Sequence, residues 1–177
     1  PGDPEFQHRV LEAAFALLDC PKPTVVEFGE AIHDSSDEVL ACPTPPRHDP
    51  GSHPAVDEAR GLRPAYDRGV VISNGRFGAG RVVAADDIPS ALEAFIRVAE
   101  GTPWTEAGIP GLPMRVSHDI RSYYETAALA MVDHAPAAWA STRWFLDQTE
   151  AGKVMMAARQ AMQDQDAPQP MWFYLTP

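Results

Sequence analysis

The sequence predicts an α+β fold, a small and mostly antiparallel sheet packed against several helices, with a helix-rich C-terminal half. Three observations predict it. The β-branched runs at 69–73 and 81–84 flank the glycine-rich stretch Asn74 to Gly80, which is the pattern of a hairpin. Ile88, Leu92, Phe95 and Ala99 recur at intervals of four, three and four residues, the period of an amphipathic helix. A doubly wound sheet requires strands and helices in regular alternation, and that alternation is missing.

In chain order, Phe6, Val10, Ala14 and Leu17 fall at helical spacing, with Leu11, Phe15 and Leu18 widening the stripe, so residues 5–18 are expected to form a well-buried helix. After Pro21 and Pro23, the run Thr24 to Phe28 reads as a strand. From Gly29 to Pro64 periodicity gives way to Pro, Ser, Asp and His, apart from a short helix near Ala55 to Arg60. The hairpin at 69–84 follows. Ser90-Ala91-Leu92-Glu93 fits a capping box and Gly101 closes that helix. Thr102 to Ser117 is a second irregular segment. Helices are expected at about 119–133, 136–147 and 150–163, and Pro170 to Leu175 reads as a strand closing the sheet. The expected core includes Val10, Leu17, Leu92, Phe95, Tyr123, Met131 and Met155.

With 177 residues and 45% hydrophobic composition, the chain suits one domain over 1–177. The opening six residues, Pro1 to Phe6, read as a cloning remnant or the start of an excised domain. A net charge of −11 repels phosphate backbones, and the basic residues are scattered, so nucleic acid is excluded as a partner. The apolar run Val10 to Leu18 is too short to span a bilayer, so no membrane insertion is expected. Cys20 and Cys42 do not make a disulfide framework, which favours a reducing, cytoplasmic location. Cys20 reads as a packing group at a helix end, and Cys42, before Pro43, as exposed. Lys22 and Lys153 are the sole lysines among fourteen basic residues, a bias we read as that of a GC-rich bacterial genome.

The chemistry-bearing pattern is adjacency of His and Asp: His33-Asp34, His48-Asp49 and His118-Asp119, with Asp133-His134 reversed. His48, Asp49 and His53 offer two imidazoles and a carboxylate within six residues, which a loop could turn toward one metal ion. Asp49-Pro50-Gly51 is equally plain turn chemistry. His118 and Asp119 are the candidate catalytic pair, although Ser117 as a helix cap and Asp119 at a positive helix end explain them structurally. Gly75, Gly78 and Gly80 suggest backbone amides cradling an anion, with Arg76 and Arg81 adding charge. The dinucleotide and P-loop spacings are both unmatched. Trp104, alone in a loop, is the aromatic expected at a recognition surface.

Two functions are consistent with these residues. One is an acidic accessory protein that binds a protein or small-molecule ligand through its Pro-rich loops. The other is a small bacterial enzyme with a His/Asp hydrolytic site, with or without a metal; the residues name no cofactor and no oligomeric state.

Overall fold

The structure, a computed structural model, describes residues 4–30, 40, 42–133, 136–137 and 139–176. Its contacts divide the chain into two compact units, Pro1–Asp37 and Glu38–Pro177.

In the first unit, helix α1 (Pro4–Ala16) runs into a 3₁₀ turn at Leu17–Asp19. Phe6 meets Phe28 edge-on with ring centroids 5.8 Å apart, and Arg9 forms an ion pair with Glu30 at 2.8 Å. The expectation of a well-buried helix is corrected: α1 has no buried residue, Val10 is half-buried, and Leu11, Phe15, Leu17 and Leu18 are exposed. A wide apolar stripe reports what a helix could bury, not that something covers it. The strand expected at 24–28 is not formed: these residues have no regular secondary structure, and Val25 is fully exposed.

The second unit is helical. Its elements are α2 (Pro54–Ile72), α3 (Ile88–Ala99, after a 3₁₀ turn at Ala85–Asp87), α4 (Pro113–Leu129), α5 (Ala140–Gln148), α6 (Glu150–Asp164) and the single turn α7 (Gln169–Trp172). The α+β expectation is therefore corrected: 59% of the structure is helix, and the described residues contain no strand.

The central pair is α2 with α4, and α3 and α5 pack on α6. On α2, Ala55, Ala59, Leu62, Tyr66 and Gly69 occupy one face, and Tyr66 stacks on Tyr123 of α4 at 4.5 Å. Close approach explains Gly69, since a Cβ there would lie 1.9 Å from the Thr126 carbonyl oxygen. Leu92, Phe95, Tyr123 and Met155 are all but fully buried, and Met131 is half-buried.

Two buried carboxylates of α2 organise its surroundings. Asp57 accepts the backbone N–H groups of His48 and Asp49 at 2.8 and 3.1 Å and pairs with Arg47 at 3.2 Å. Glu58 accepts the N–H groups of Glu150 and Ala151 at the start of α6, together with the Tyr124 hydroxyl. Unsatisfied amides at a helix start favour negative charge, so Glu58 serves as a cap supplied from another helix. Burial still raises its pKa above the usual Glu value, against the lowering effect of those bonds.

Both expected segments of the hairpin have other fates. Val70, Val71 and Ile72 form the last turn of α2, which begins at Pro54 and carries Pro64 in its interior. Asn74 and Gly75 do turn with positive φ, 52° and 70°, as their residue types favour. That turn ends a helix instead of joining strands. The C-terminal strand is likewise absent: 169–172 is a helical turn, with Trp172 under the Arg159 guanidinium and Trp172, Phe173 and Tyr174 in successive edge contacts.

Candidate functional site

Asp119 is the centre of the region after α2. Its side chain is wholly buried, and it accepts four consecutive backbone N–H groups: Gly80 at 3.2 Å and Arg81 at 3.1 Å on Oδ1, Val82 at 2.7 Å and Val83 at 2.9 Å on Oδ2. Gly80 enters this run at φ 122° and Gly78 at 150°, conformations open to glycine. The glycine-rich segment thus forms an anion cradle, and the anion is the protein's own carboxylate. Burial works to raise the pKa of Asp119, but the amide bonds from Val83, Val82, Arg81 and Gly80 outweigh it and hold the carboxyl below the usual Asp value. Three of those N–H groups, of Arg81, Val82 and Val83, belong to the expected strand at 81–84, and here all three turn to one carboxylate.

Held this way, the 76–81 segment faces one side of α4 across a cavity of about 360 Å³. From α4 come His118, Ser122, Glu125, Thr126 and Leu129, a stripe at helical spacing. Arg76, Phe77, Gly78 and Arg81 line it from the turn, and Ser141 from α5. Arg76 donates its Nε–H to the Ser73 carbonyl at 3.1 Å, and its two terminal nitrogens have no hydrogen-bond or ion-pair partner among the described residues. The Arg81 guanidinium has no hydrogen-bond or ion-pair partner among the described residues.

His118 Nδ1 and Ser122 Oγ lie 3.2 Å apart, in a hydrogen bond whose direction follows the tautomer. Burial, then the nearby Arg81 and Arg121 charges, lowers the His118 pKa below the usual imidazole value, while Asp119 and Glu125 pull it back up. Glu125 accepts a short hydrogen bond from Thr142 and sits 3.7 Å from Arg121 Nε.

The structure brings His118, which the sequence singles out as catalytic, to the same cavity as Arg76 and Arg81, which it singles out together as the charges of an anion cradle. Asp119 lies behind them as the clamp of the turn. The spacing Ser122, Glu125 and Leu129 on the face of α4 opposite Ile120, Tyr123 and Ala127 was the signal for the remaining α4 residues. Ser141 and Phe77 had no such signal, because they reach the cavity through the packing of α5 and the path of the turn.

His48, Asp49 and His53 instead build the entry to α2. His53 is the N-cap, with Nδ1 accepting the Ala55 N–H at 3.2 Å. Asp49 accepts the Gly51 N–H at 3.0 Å and the Ser52 hydroxyl at 2.6 Å, and it is the backbone N–H of His48 that bonds Asp57. Among the described residues, no group of three or more His, Cys, Asp or Glu side chains is arranged to hold a metal ion. Trp104 is half-buried against the core, its backbone N–H donating to Gln165 at 2.9 Å. Arg97 ties the same segment to α3 through the Ala107 carbonyl at 2.8 Å. His33, Asp34 and His134 lie outside the described residues. The cysteine expectations are reversed: Cys20 is exposed and Cys42 buried, its thiol pKa raised by burial.

A second cavity, of about 300 Å³, is walled in part by Arg47, Asp57, Glu58 and Glu150. Its two buried carboxylates already hold main-chain amides. No helix among the described residues is long and apolar enough to cross a membrane. Comparison with family models, with curated proteins and with solved structures yields no match.

Proposed function

We propose that the protein is a binding protein whose ligand carries an acidic group, carboxylate or phosphate, taken up in the cavity between the 76–81 turn and α4. The observation that supports this reading is the pair of guanidinium groups, Arg76 and Arg81, with unengaged N–H donors on one cavity in a chain of net charge −11. Guanidinium groups bond carboxylate and phosphate oxygens in matched pairs, and such charge-assisted bonds are among the stronger polar contacts. Sites for small molecules span roughly 300–1,000 Å³, so this cavity suits a small ligand. The turn that presents the arginines is itself held by Asp119, which gives the site a fixed backbone.

Titration calorimetry with 3-phenylpropionate and with phenyl phosphate tests the reading and separates the two acid types. Arg76→Ala and Arg81→Ala are each expected to weaken binding about tenfold, the loss of one charge-assisted hydrogen bond. Failure of both acids to bind, or binding unchanged in both variants, would overturn it.

The hydrolase reading keeps one supporting observation, the His118–Ser122 contact within the same cavity. A serine beside an imidazole of lowered pKa is the start of a nucleophile and base pair. Among the described residues no carboxylate bonds the second ring nitrogen, so the third member that usually orients the imidazole is missing. Turnover of p-nitrophenyl acetate that disappears in Ser122→Ala would favour it over simple binding.

A further inference from the structure

We infer that the ligand of this cavity carries an ammonium group as well as its acidic group, and that Glu125 receives it. The inference rests on the acid-binding reading and adds a second charge to it. Glu125 lines the same cavity as Arg76 and Arg81. Its Oε1 is engaged twice, by the Thr142 hydroxyl and by Arg121 at 3.7 Å, whereas Oε2 has no partner among the described residues. Two contacts on one oxygen fix the carboxylate in place and leave the lone pairs of the other open to a donor.

The apolar lining comes from Phe77 and Leu129, which suits a carbon skeleton between the two charged groups.

Charge decides between ligand classes. A simple acid gains the two arginines but meets the Glu125 carboxylate. A simple amine gains Glu125 and meets the arginines. A molecule with both groups, such as an amino acid or an amino-alkyl phosphate, satisfies the cavity and avoids either like-charge contact, which is how polar sites discriminate.

The test is calorimetry on the full chain with matched pairs: phenylalanine against 3-phenylpropionate, and phosphoethanolamine against ethyl phosphate, with 2-phenylethylamine as the amine alone. In at least one pair the ammonium-bearing member is expected to bind about tenfold tighter or better, the scale of one charge-assisted contact. The pair that shows it identifies the acid type. The amine alone is expected not to bind. Glu125→Gln, whose amide oxygen can still accept from Thr142, is expected to erase the preference while leaving the simple acid bound as before or more tightly. Retained binding of the simple acid also shows that the variant cavity is intact. Should the variant fail to fold, the paired comparison on the unaltered protein decides alone.

Pairs that differ by less than about twofold overturn this inference while leaving the acid-binding reading standing. So does a preference that survives Glu125→Gln, or loss of both pair members in a variant with an unchanged circular dichroism spectrum. If no simple acid binds, both readings fall together.

Discussion

Asp119 shows how one side chain can replace a strand's worth of hydrogen-bond partners. Four amides converge on it, and an ionised acceptor makes each bond stronger than a neutral one would. Asp119→Asn puts an amide NH₂ against N–H donors, leaving some of them unsatisfied, and is expected to cost on the order of 3 kcal/mol by urea denaturation. A loss well below about 1 kcal/mol would mean that the turn finds other acceptors. The folded pKa of Asp119 is depressed, so its contribution is present above the unfolded Asp pKa and is lost as pH falls through the folded value. Acid denaturation of the Asn variant should therefore lack part of the stability loss that the parent shows below about pH 4, where an unfolded Asp titrates. His118 works with the same sign from another cause. Its folded pKa is also lowered, so the unfolded chain binds the proton first, and stability falls as pH drops from about 6.5 through the lower folded value. His118→Gln should flatten that limb of the melting temperature against pH. An acid bound at Arg81 would raise the imidazole pKa again, so binding near neutrality should take up protons. Calorimetry in buffers of different ionisation enthalpy reads that uptake, and in His118→Gln it should vanish.

At the scale of elements, the pairing of α2 with α4 governs the unit. Gly69→Ala would set a methyl against the Thr126 carbonyl, where the present separation to a Cβ is 1.9 Å. Either the helices part or α2 bends, and overpacking of this kind costs about 1–3 kcal/mol. A stability equal to the parent's would show that the two helices have freedom to slide. Leu92→Ala and Phe95→Ala on α3 empty fully buried positions, and each should cost about 2–5 kcal/mol in the same measurement. The helix at 88–99 was legible because its apolar period is strong; the observed start at Ile88 precedes the expected Ser90 cap by two residues, because the 3₁₀ turn Ala85–Asp87 feeds directly into it. The run 70–72 misled for the opposite reason. β-branched residues favour strands only mildly, and a helix already committed through Leu62, Tyr66 and Gly69 carries them along as its last turn.

At the scale of the whole molecule, the chain carries a net charge of −11, and the unit Glu38–Pro177 that holds the cavity is itself acidic, while Arg76 and Arg81 line the cavity. The long-range field repels an anionic ligand, while short-range contacts hold it. Raising salt from about 10 to 100 mM shortens the screening length from roughly 30 to 10 Å and should speed association of 3-phenylpropionate with the protein. Stopped-flow rates that fall over this range would mean that the local field of Arg76 and Arg81 outweighs the net negative charge during approach. For a basic ligand the dependence would reverse, so the sign of the salt effect separates partner classes without knowledge of the ligand.

What the sequence alone determined are the properties encoded within a few residues of one another. These are the helical period at 88–99 and 150–163, the positive-φ turn at Asn74-Gly75, and the residue types that bind acids at Arg76, Arg81 and His118. Only tertiary structure decided who satisfies the backbone. The amides of 80–83 bond a carboxylate 36 to 39 positions away, and those opening α6 bond Glu58, 92 and 93 positions away. A strand and a segment gathered around a carboxylate can share the same residues. What separates them is the acceptor, and an acceptor that arrives from a distant helix leaves no trace in the local pattern.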